Sequence, residues 1–316
     1  MNNFLSLDDV SDPMAFAREA IELKKNPLAD IHLGRGKMLG MVFFNSSLRT
    51  RMSVQKAAFN LGIQTMVLNV GGDLWTLETQ DGAVMNGKAA EHIKEAVPVM
   101  ANYCDILAVR CFPGLENRDI DSEEKILTAF ATKSGKPVVN MESATLHPLQ
   151  SLADLITILE HQPKPRPKVV LSWAPHIKPL PHCVSNSFSQ WMNKADVDFV
   201  ITHPKGLELG TKYTKGAVIE HDQRKAFEGA DFIYAKNWSS YNDYGKFMDA
   251  PEWIIDAEKM AWTNQARFMH CLPVRRNVEV ADDVLDGPHS IVVKQAANRE
   301  FATQRVLKEL LKELKH

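Results

Sequence analysis

Short apolar runs alternate along the chain with stretches whose apolar positions recur every three or four residues. The runs at 38–44, 65–70, 105–110 and 137–141 predict one set of strands. Those at 168–173, 198–202, 231–235, 267–270 and 290–293 predict a second. Most carry Val, Ile, Leu, Phe or Met at successive positions, as strands covered on both faces do. Between them, Val54, Ala57, Ala58 and Leu61 fall at i, i+3, i+4 and i+7 and predict a helix with one apolar face. Another helix is expected over 149–161, and Leu307, Leu310, Leu311 and Leu314 predict a docking helix at the end of the chain.

Parallel strands need crossover connections, so this alternation predicts an α/β fold. Two doubly wound parallel-sheet domains are expected. The prolines of EHQPKPRPK (160–168) interrupt the pattern and mark the approach to the second. The expected division is 1–148 with the C-terminal helix 300–316, against 149–299.

Bulk properties narrow the function classes. A length of 316 residues fits about two domains. Net charge −2 gives no general attraction to nucleic acid or an anionic membrane, so basic clusters must be local sites. No apolar run approaches the roughly eighteen residues of a membrane span, and MNNFLSLDDVSDP has acids where a signal peptide needs a basic start. Cys104, Cys111, Cys183 and Cys271 form no CxxC pair, which fits a reducing cytoplasm and gives no metal-ligand spacing. A strand–GxGxxG–helix is absent, which argues against a nicotinamide enzyme.

Three segments follow predicted strands and carry the candidate chemistry. In FFNSSLRTRMS (43–53) a strand ends, the chain turns and a helix begins. Free N–H groups and the helix dipole attract an anion there. Ser47 and Thr50 add hydroxyls, and the forked guanidinium of Arg49 suits two phosphate oxygens. In ESATLHPLQ (142–150), Glu142, His147 and Gln150 sit at a strand's carboxyl end, where open α/β sheets bind ligands. In HCLPVRRN (270–277), His270 and Cys271 are strand neighbours on opposite faces, so Cys271 is expected to position substrate and not to act as a nucleophile.

Taken in order, S-L-R-T-R, H-P-L-Q and H-C-L-P resemble the aspartate/ornithine carbamoyltransferase family across essentially the whole chain. The resemblance implies that Ser47, Leu48, Arg49 and Thr50 bind carbamoyl phosphate, with Arg110, His147, Gln150, Cys271, Leu272 and Arg299. It also implies a homotrimer in which Trp75 enters a neighbouring subunit's site.

Ornithine enzymes of the family carry an Asp four residues before a Ser-Met-Gly loop to hold ornithine's free α-amino group. This chain has Lys236 at that Asp, and no Ser-Met-Gly follows. A lysine in contact with an α-ammonium repels it by about 4 kcal/mol at an effective dielectric near 20. The sequence therefore looks like the branch acting on N-acetylornithine or N-succinylornithine. The proline-rich 173–187 supports that branch, in which the loop is implied to be knotted. Acetyl-specific relatives carry Glu where this chain has Ala90, and the succinyl-specific ones compared carry Pro. Losing the acid favours a succinyl carboxylate within reach of His176, Lys178 or Arg275.

The implied chemistry is direct attack of the δ-amine on the carbamoyl carbon, with no metal and no cofactor. Thr50, Arg110 and His147 are expected to stabilise the oxyanion, aided by Cys271 and the Leu272 carbonyl, which orient the amine. Glu142, His176, Lys178, Lys236 and Arg275 are expected to hold the acylornithine. Alternatives are N-acetylornithine as substrate and a non-catalytic anion-binding regulator on the same scaffold.

Overall fold

The computed structural model describes residues 1–314; the last two residues of the expected C-terminal helix lie outside the described residues. In chain order the strands are β1 Met38–Phe43, β2 Gln64–Asn69, β3 Leu77–Glu78, β4 Glu91–His92, β5 Ile106–Arg110 and β6 Val138–Glu142. They continue with β7 Lys168–Trp173, β8 Asp198–Thr202, β9 Val218–Glu220, β10 Phe232–Lys236 and β11 Arg267–Met269. The helices are α1 Pro13–Leu23, α2 Arg49–Asn60, α3 Ile93–Asn102, α4 Arg118–Ser122, α5 Lys125–Lys133 and α6 Pro148–His161. After these come α7 Cys183–Met192, α8 Thr211–Thr214, α9 Gln223–Phe227, α10 Ala257–Met260, α11 Asp282–Leu285 and α12 Val292–Glu313.

Two parallel sheets result, ordered β2-β1-β5-β6 and β11-β10-β7-β8-β9, and β3 pairs with β4 in a separate parallel ribbon. In the first sheet the chain steps outward from β1 to β2 and then crosses back to β5, so its direction reverses between β1 and β5. In the second the reversal falls between β7 and β10. Such switch points open crevices at the carboxyl ends of the strands. Register puts Phe43 opposite Arg110 at the first and Trp173 opposite Lys236 at the second. Both crevices are thus edged by the segments singled out above.

The expected strand at 290–293 is not formed. Ser290 makes an isolated bridge to Phe268, and Val292 begins α12. A four-residue apolar run cannot be told from the buried start of a helix by periodicity alone. The helix expected over 149–161 is α6, which Pro148 opens in the first-turn position that tolerates a missing N–H. Every α6 side chain from Pro148 to Ile158 is buried, because α1, α7, α12 and β6 pack around it. One apolar cluster runs from Leu39, Met41 and Ile106 through Leu152, Leu155 and Ile156 to Val169, Leu171 and Ile201. That shared core holds the two sheets against each other, and with them the two crevices.

Candidate active site

The opening turn leaves α2 with Leu48 as its N-cap and no side-chain cap bond, so the first N–H groups of the helix lack a side-chain acceptor. Leu48 itself points outward, 67% exposed, and Ser47 is half-buried beside it. Thr50 faces inward and is buried. Its hydroxyl accepts from Arg110 Nη1 at 3.3 Å and from Arg299 Nη2 at 2.6 Å. Arg299 Nη1 donates to Gln150 Oε1 at 2.9 Å, and its Nη2 lies 3.5 Å from His147 Nε2. Arg110 forms a very short ion pair with Glu142, whose carboxylate also lies 3.5 Å from His147 Nε2 and accepts from Cys183 Sγ at 3.3 Å. Arg49 completes the cluster electrostatically with Arg110, Glu142 and Cys271.

Three guanidinium groups therefore surround one carboxylate in a largely buried pocket. Burial lowers Arg299 to about 10 and also lowers Arg49. Burial, then the charges of Arg299, Arg110 and Arg49, hold His147 well below its ordinary value, so it is neutral near pH 7. The Nε atoms of all three arginines and Nδ1 of His147 are buried without hydrogen-bond partners. Buried polar atoms left open in this way are rare. An anion with several acceptor oxygens would fill them. Arg51, two residues along the helix, faces away: it lies 5.0 Å over the Phe43 ring and bonds to Asn69.

The second crevice carries Lys236 at the end of β10, buried, its ammonium without an ion-pair or hydrogen-bond partner among the described residues. Its charge reaches Cys271, Cys183, Glu279 and His176. Arg275 Nε donates to His176 Nε2 at 3.2 Å, while His176 Nδ1 sits 2.9 Å from the Lys178 carbonyl. Lys178 and Arg275 are exposed at the rim. Burial raises the Cys271 thiol, so it is not a ready thiolate. His270 has both ring nitrogens engaged, with Leu272 N–H at 2.9 Å and Glu279 at 3.3 Å, and does not serve Cys271. Leu272 is held at φ +56°, a conformation Leu rarely adopts, and such outliers cluster at functional sites.

Two expected residues are not joined to this cluster by any hydrogen bond or ion pair within the chain. Trp75 is 58% exposed and donates from Nε1 to Glu91 at 3.0 Å. The exposed Ala90 donates its N–H to the Thr76 carbonyl at 3.2 Å, on the same ribbon. Ala90 therefore lies beside Trp75 on this ribbon, and among the described residues no hydrogen bond or ion pair ties it to the His176 rim.

Sequence reading missed the supports. Glu124, in a left-handed conformation at φ +51°, takes four hydrogen bonds from Ser143, Ala144 and Thr145, at 2.7–3.2 Å, and so shapes the turn into His147. Glu279 accepts the Arg275 N–H at 2.7 Å as well as holding His270. Asp154 and Gln295 lie beneath Gln150. Gln295 meets Asp154 across 141 residues and Glu124 reaches Ser143 across 19, separations that periodicity does not report, whereas the four-residue spacing of Gln150 and Asp154 on an expected helix was a signal. Among the described residues no group of three or more His, Cys, Asp or Glu could hold a metal ion, and no helix is long and apolar enough to cross a membrane.

Residues 2–160 match the model of the aspartate/ornithine carbamoyltransferase carbamoyl-P binding domain, and residues 182–310 that of the Asp/Orn binding domain. The N-succinylornithine carbamoyltransferase of Bacteroides thetaiotaomicron is 53% identical, covering 99% of this chain and 100% of the relative. The N-acetylornithine carbamoyltransferase of Xylella fastidiosa is 36% identical over 98% of each chain. Among solved structures, an N-acetyl-L-ornithine transcarbamylase with one glutamate replaced by alanine superposes with TM-score 0.92 at 36% identity, over 98% of this chain and 100% of that one. It is complexed with carbamyl phosphate and N-succinyl-L-norvaline. Acetylornithine transcarbamylase complexed with acetylcitrulline superposes with TM-score 0.92 at 35% identity, over 98% and 99%.

Proposed function

The chain belongs to the aspartate/ornithine carbamoyltransferase family, and from that premise we propose that it carbamoylates N2-succinyl-L-ornithine on its δ-amine. Carbamoyl phosphate is the donor; N-succinylcitrulline and phosphate are the products, in arginine biosynthesis. The observation that carries the proposal is a pair of charge traps. An arginine pocket with surplus positive charge lies at one switch point, and the buried Lys236, without an ion-pair or hydrogen-bond partner among the described residues, at the other.

Ser47, Arg49, Thr50 and Arg299 hold the phosphate, and Gln150 orients the carbamoyl amide. The neutral δ-amine attacks the carbamoyl carbon, forming the new C–N bond and placing negative charge on the carbonyl oxygen. Thr50, Arg110 and neutral His147 stabilise that oxygen, about 3–4 kcal/mol for one such donor. The C–O bond to phosphate then breaks, its electron pair leaves with phosphate, and a phosphate oxygen takes the amine proton. Cys271 and the Leu272 carbonyl orient the amine. Glu142, His176, Lys178, Lys236 and Arg275 hold the acylornithine, and alignment of two reactants supplies much of the rest.

Carbamoyl phosphate binds on 1–148 with 300–316, and the amine on 149–299. Trp75 and Ala90 act from a neighbouring subunit of a homotrimer, in the cytoplasm. The solved acetylornithine enzymes with N-succinyl-L-norvaline carry Ala, Pro, Val or Ser in place of one glutamate, and Ala90 gives this chain the same lack of an acid. The loop at 174–182 is tied to its neighbour by Asn237 Nδ2 on the Ala174 carbonyl at 2.8 Å and Ser239 N–H on the Leu180 carbonyl at 3.0 Å; its knotting belongs to the same proposal. Product formation from carbamoyl phosphate with ornithine, N-acetylornithine and N-succinylornithine, side by side, tests the assignment. The succinylated amine should have the highest kcat/KM; faster turnover of unblocked ornithine defeats it.

A further inference from the structure

Beneath the cleft, α6 and α12 face each other across buried polar side chains. Gln150 and Asp154 lie one turn apart on α6, and Gln295 and Arg299 one turn apart on α12, so each pair shares a helix face. Asp154 and Gln295 have no exposed surface. Oδ1 of Asp154 accepts from Gln150 Nε2 at 2.8 Å and from Gln295 Nε2 at 2.7 Å. An amide has a donor end and an acceptor end, and only the donor end can meet that oxygen. With its nitrogen held below, Gln150 turns Oε1 toward Arg299 Nη1 at 2.9 Å. Gln295 turns Oε1 toward the His270 N–H at 2.9 Å, the residue leading into Cys271 and Leu272.

We propose that Asp154 is a positioning residue whose single oxygen sets both glutamine amides and so ties the carbamoyl-phosphate half of the cleft to the Cys271–Leu272 edge of the amine half. The inference rests on the carbamoyltransferase proposal above. Asp154 does not reach the reacting atoms, because Gln150 stands between. Burial raises its carboxyl to about 7. The lock tolerates either protonation state, since a neutral carboxyl still has an acceptor oxygen. Its other oxygen, Oδ2, and the nearby Tyr234 hydroxyl are both buried without a geometrically formed hydrogen bond. That environment invites the rival reading of Asp154 as a proton store, and substitution separates the two.

Asp154→Asn keeps an acceptor oxygen and loses the titratable proton; Asp154→Leu loses both; Gln295→Leu cuts one arm only. Steady-state kinetics on the full-length protein with carbamoyl phosphate and N-succinylornithine should show kcat of D154N within about threefold of wild type, with the same pH profile. D154L should lose roughly thirtyfold or more in kcat and bind carbamoyl phosphate about tenfold more weakly. Q295L should raise KM for the amine about fivefold while leaving KM for carbamoyl phosphate within about twofold. A D154N loss as large as that of D154L, or equal KM shifts in Q295L, overturns the lock. Should D154L fail to fold, D154N and Q295L still decide. If the wild type turns over no acylornithine, the functional proposal is what fails. Calorimetric titration of carbamoyl phosphate alone into wild type, D154N and D154L then tests Asp154, and wild-type affinity in D154L overturns the lock.

Discussion

In the proposed reaction Lys236 is the side chain that selects the substrate. The residue is buried, its ammonium has no ion-pair or hydrogen-bond partner among the described residues, and a ligand carboxylate would supply one. Reversing its charge should therefore cost more than removing it. Lys236→Asp is expected to lower kcat/KM for N-succinylornithine by about a hundredfold or more, close to 3 kcal/mol. A change within about threefold would mean that Lys236 does not contact the amine substrate. At this scale the sequence was readable only in part. S-L-R-T-R offered two arginines, and two positions along a helix turn a side chain to nearly the opposite side. Arg49 joins the anion cluster, while Arg51 lies over Phe43.

Among the elements, the β3–β4 ribbon is the one that the proposed trimer assigns to a neighbouring subunit's site. Two residues per strand bury little, yet the ribbon carries both Trp75 and Ala90 near its ends. Ala90→Glu should repel a succinyl carboxylate and tolerate an acetyl group. The ratio of kcat/KM for N-acetylornithine over N-succinylornithine should rise by about tenfold or more, and an unmoved ratio would remove Ala90 from the acyl pocket. The ribbon and the edge strand β9 escaped the apolar pattern because they are short, the ribbon only half-buried and β9 largely exposed. The run at 290–293 misled in the opposite sense: Ile291 and Val292 are buried where a helix begins, while Val293 is exposed.

At the scale of the whole molecule, the trimer proposal makes a quantitative forecast. Arg49→Ala and Trp75→Ala chains should each be inactive alone. Dissociated together and reassembled, about one site in four pairs an intact Arg49 with a neighbour's intact Trp75, so about a quarter of wild-type activity should return. No recovery from reassembled mixed trimers would place Trp75 outside the shared site. Acid stability is the second whole-molecule property. Burial lowers His147, His182, His203 and His270, so below about pH 6.5 the unfolded chain binds protons that the folded one refuses, and stability falls with pH. Asp154, raised to about 7, acts oppositely between its unfolded and folded values, because there the folded state holds the extra proton. Four groups outweigh one, so stability should fall from pH 6 to pH 5. Thermal melts across that range check it, and a constant Tm would contradict the neutral histidines.

By itself the sequence determined what is local. Alternating apolar runs predict a two-sheet α/β fold, the apolar runs and the turns after them place Thr50, Arg110, His147 and Lys236 at or just beyond strand carboxyl ends, and a reversed charge argues against a free α-ammonium. Tertiary structure decided what depends on chain segments meeting. It brought Arg299 within hydrogen-bond distance of Thr50 across 249 residues, gave Glu142 to Arg110, and put Asp154 under two glutamines. Periodicity reports which face of an element is buried, but not which partner buries it; that follows from packing two sheets around α6 and α12.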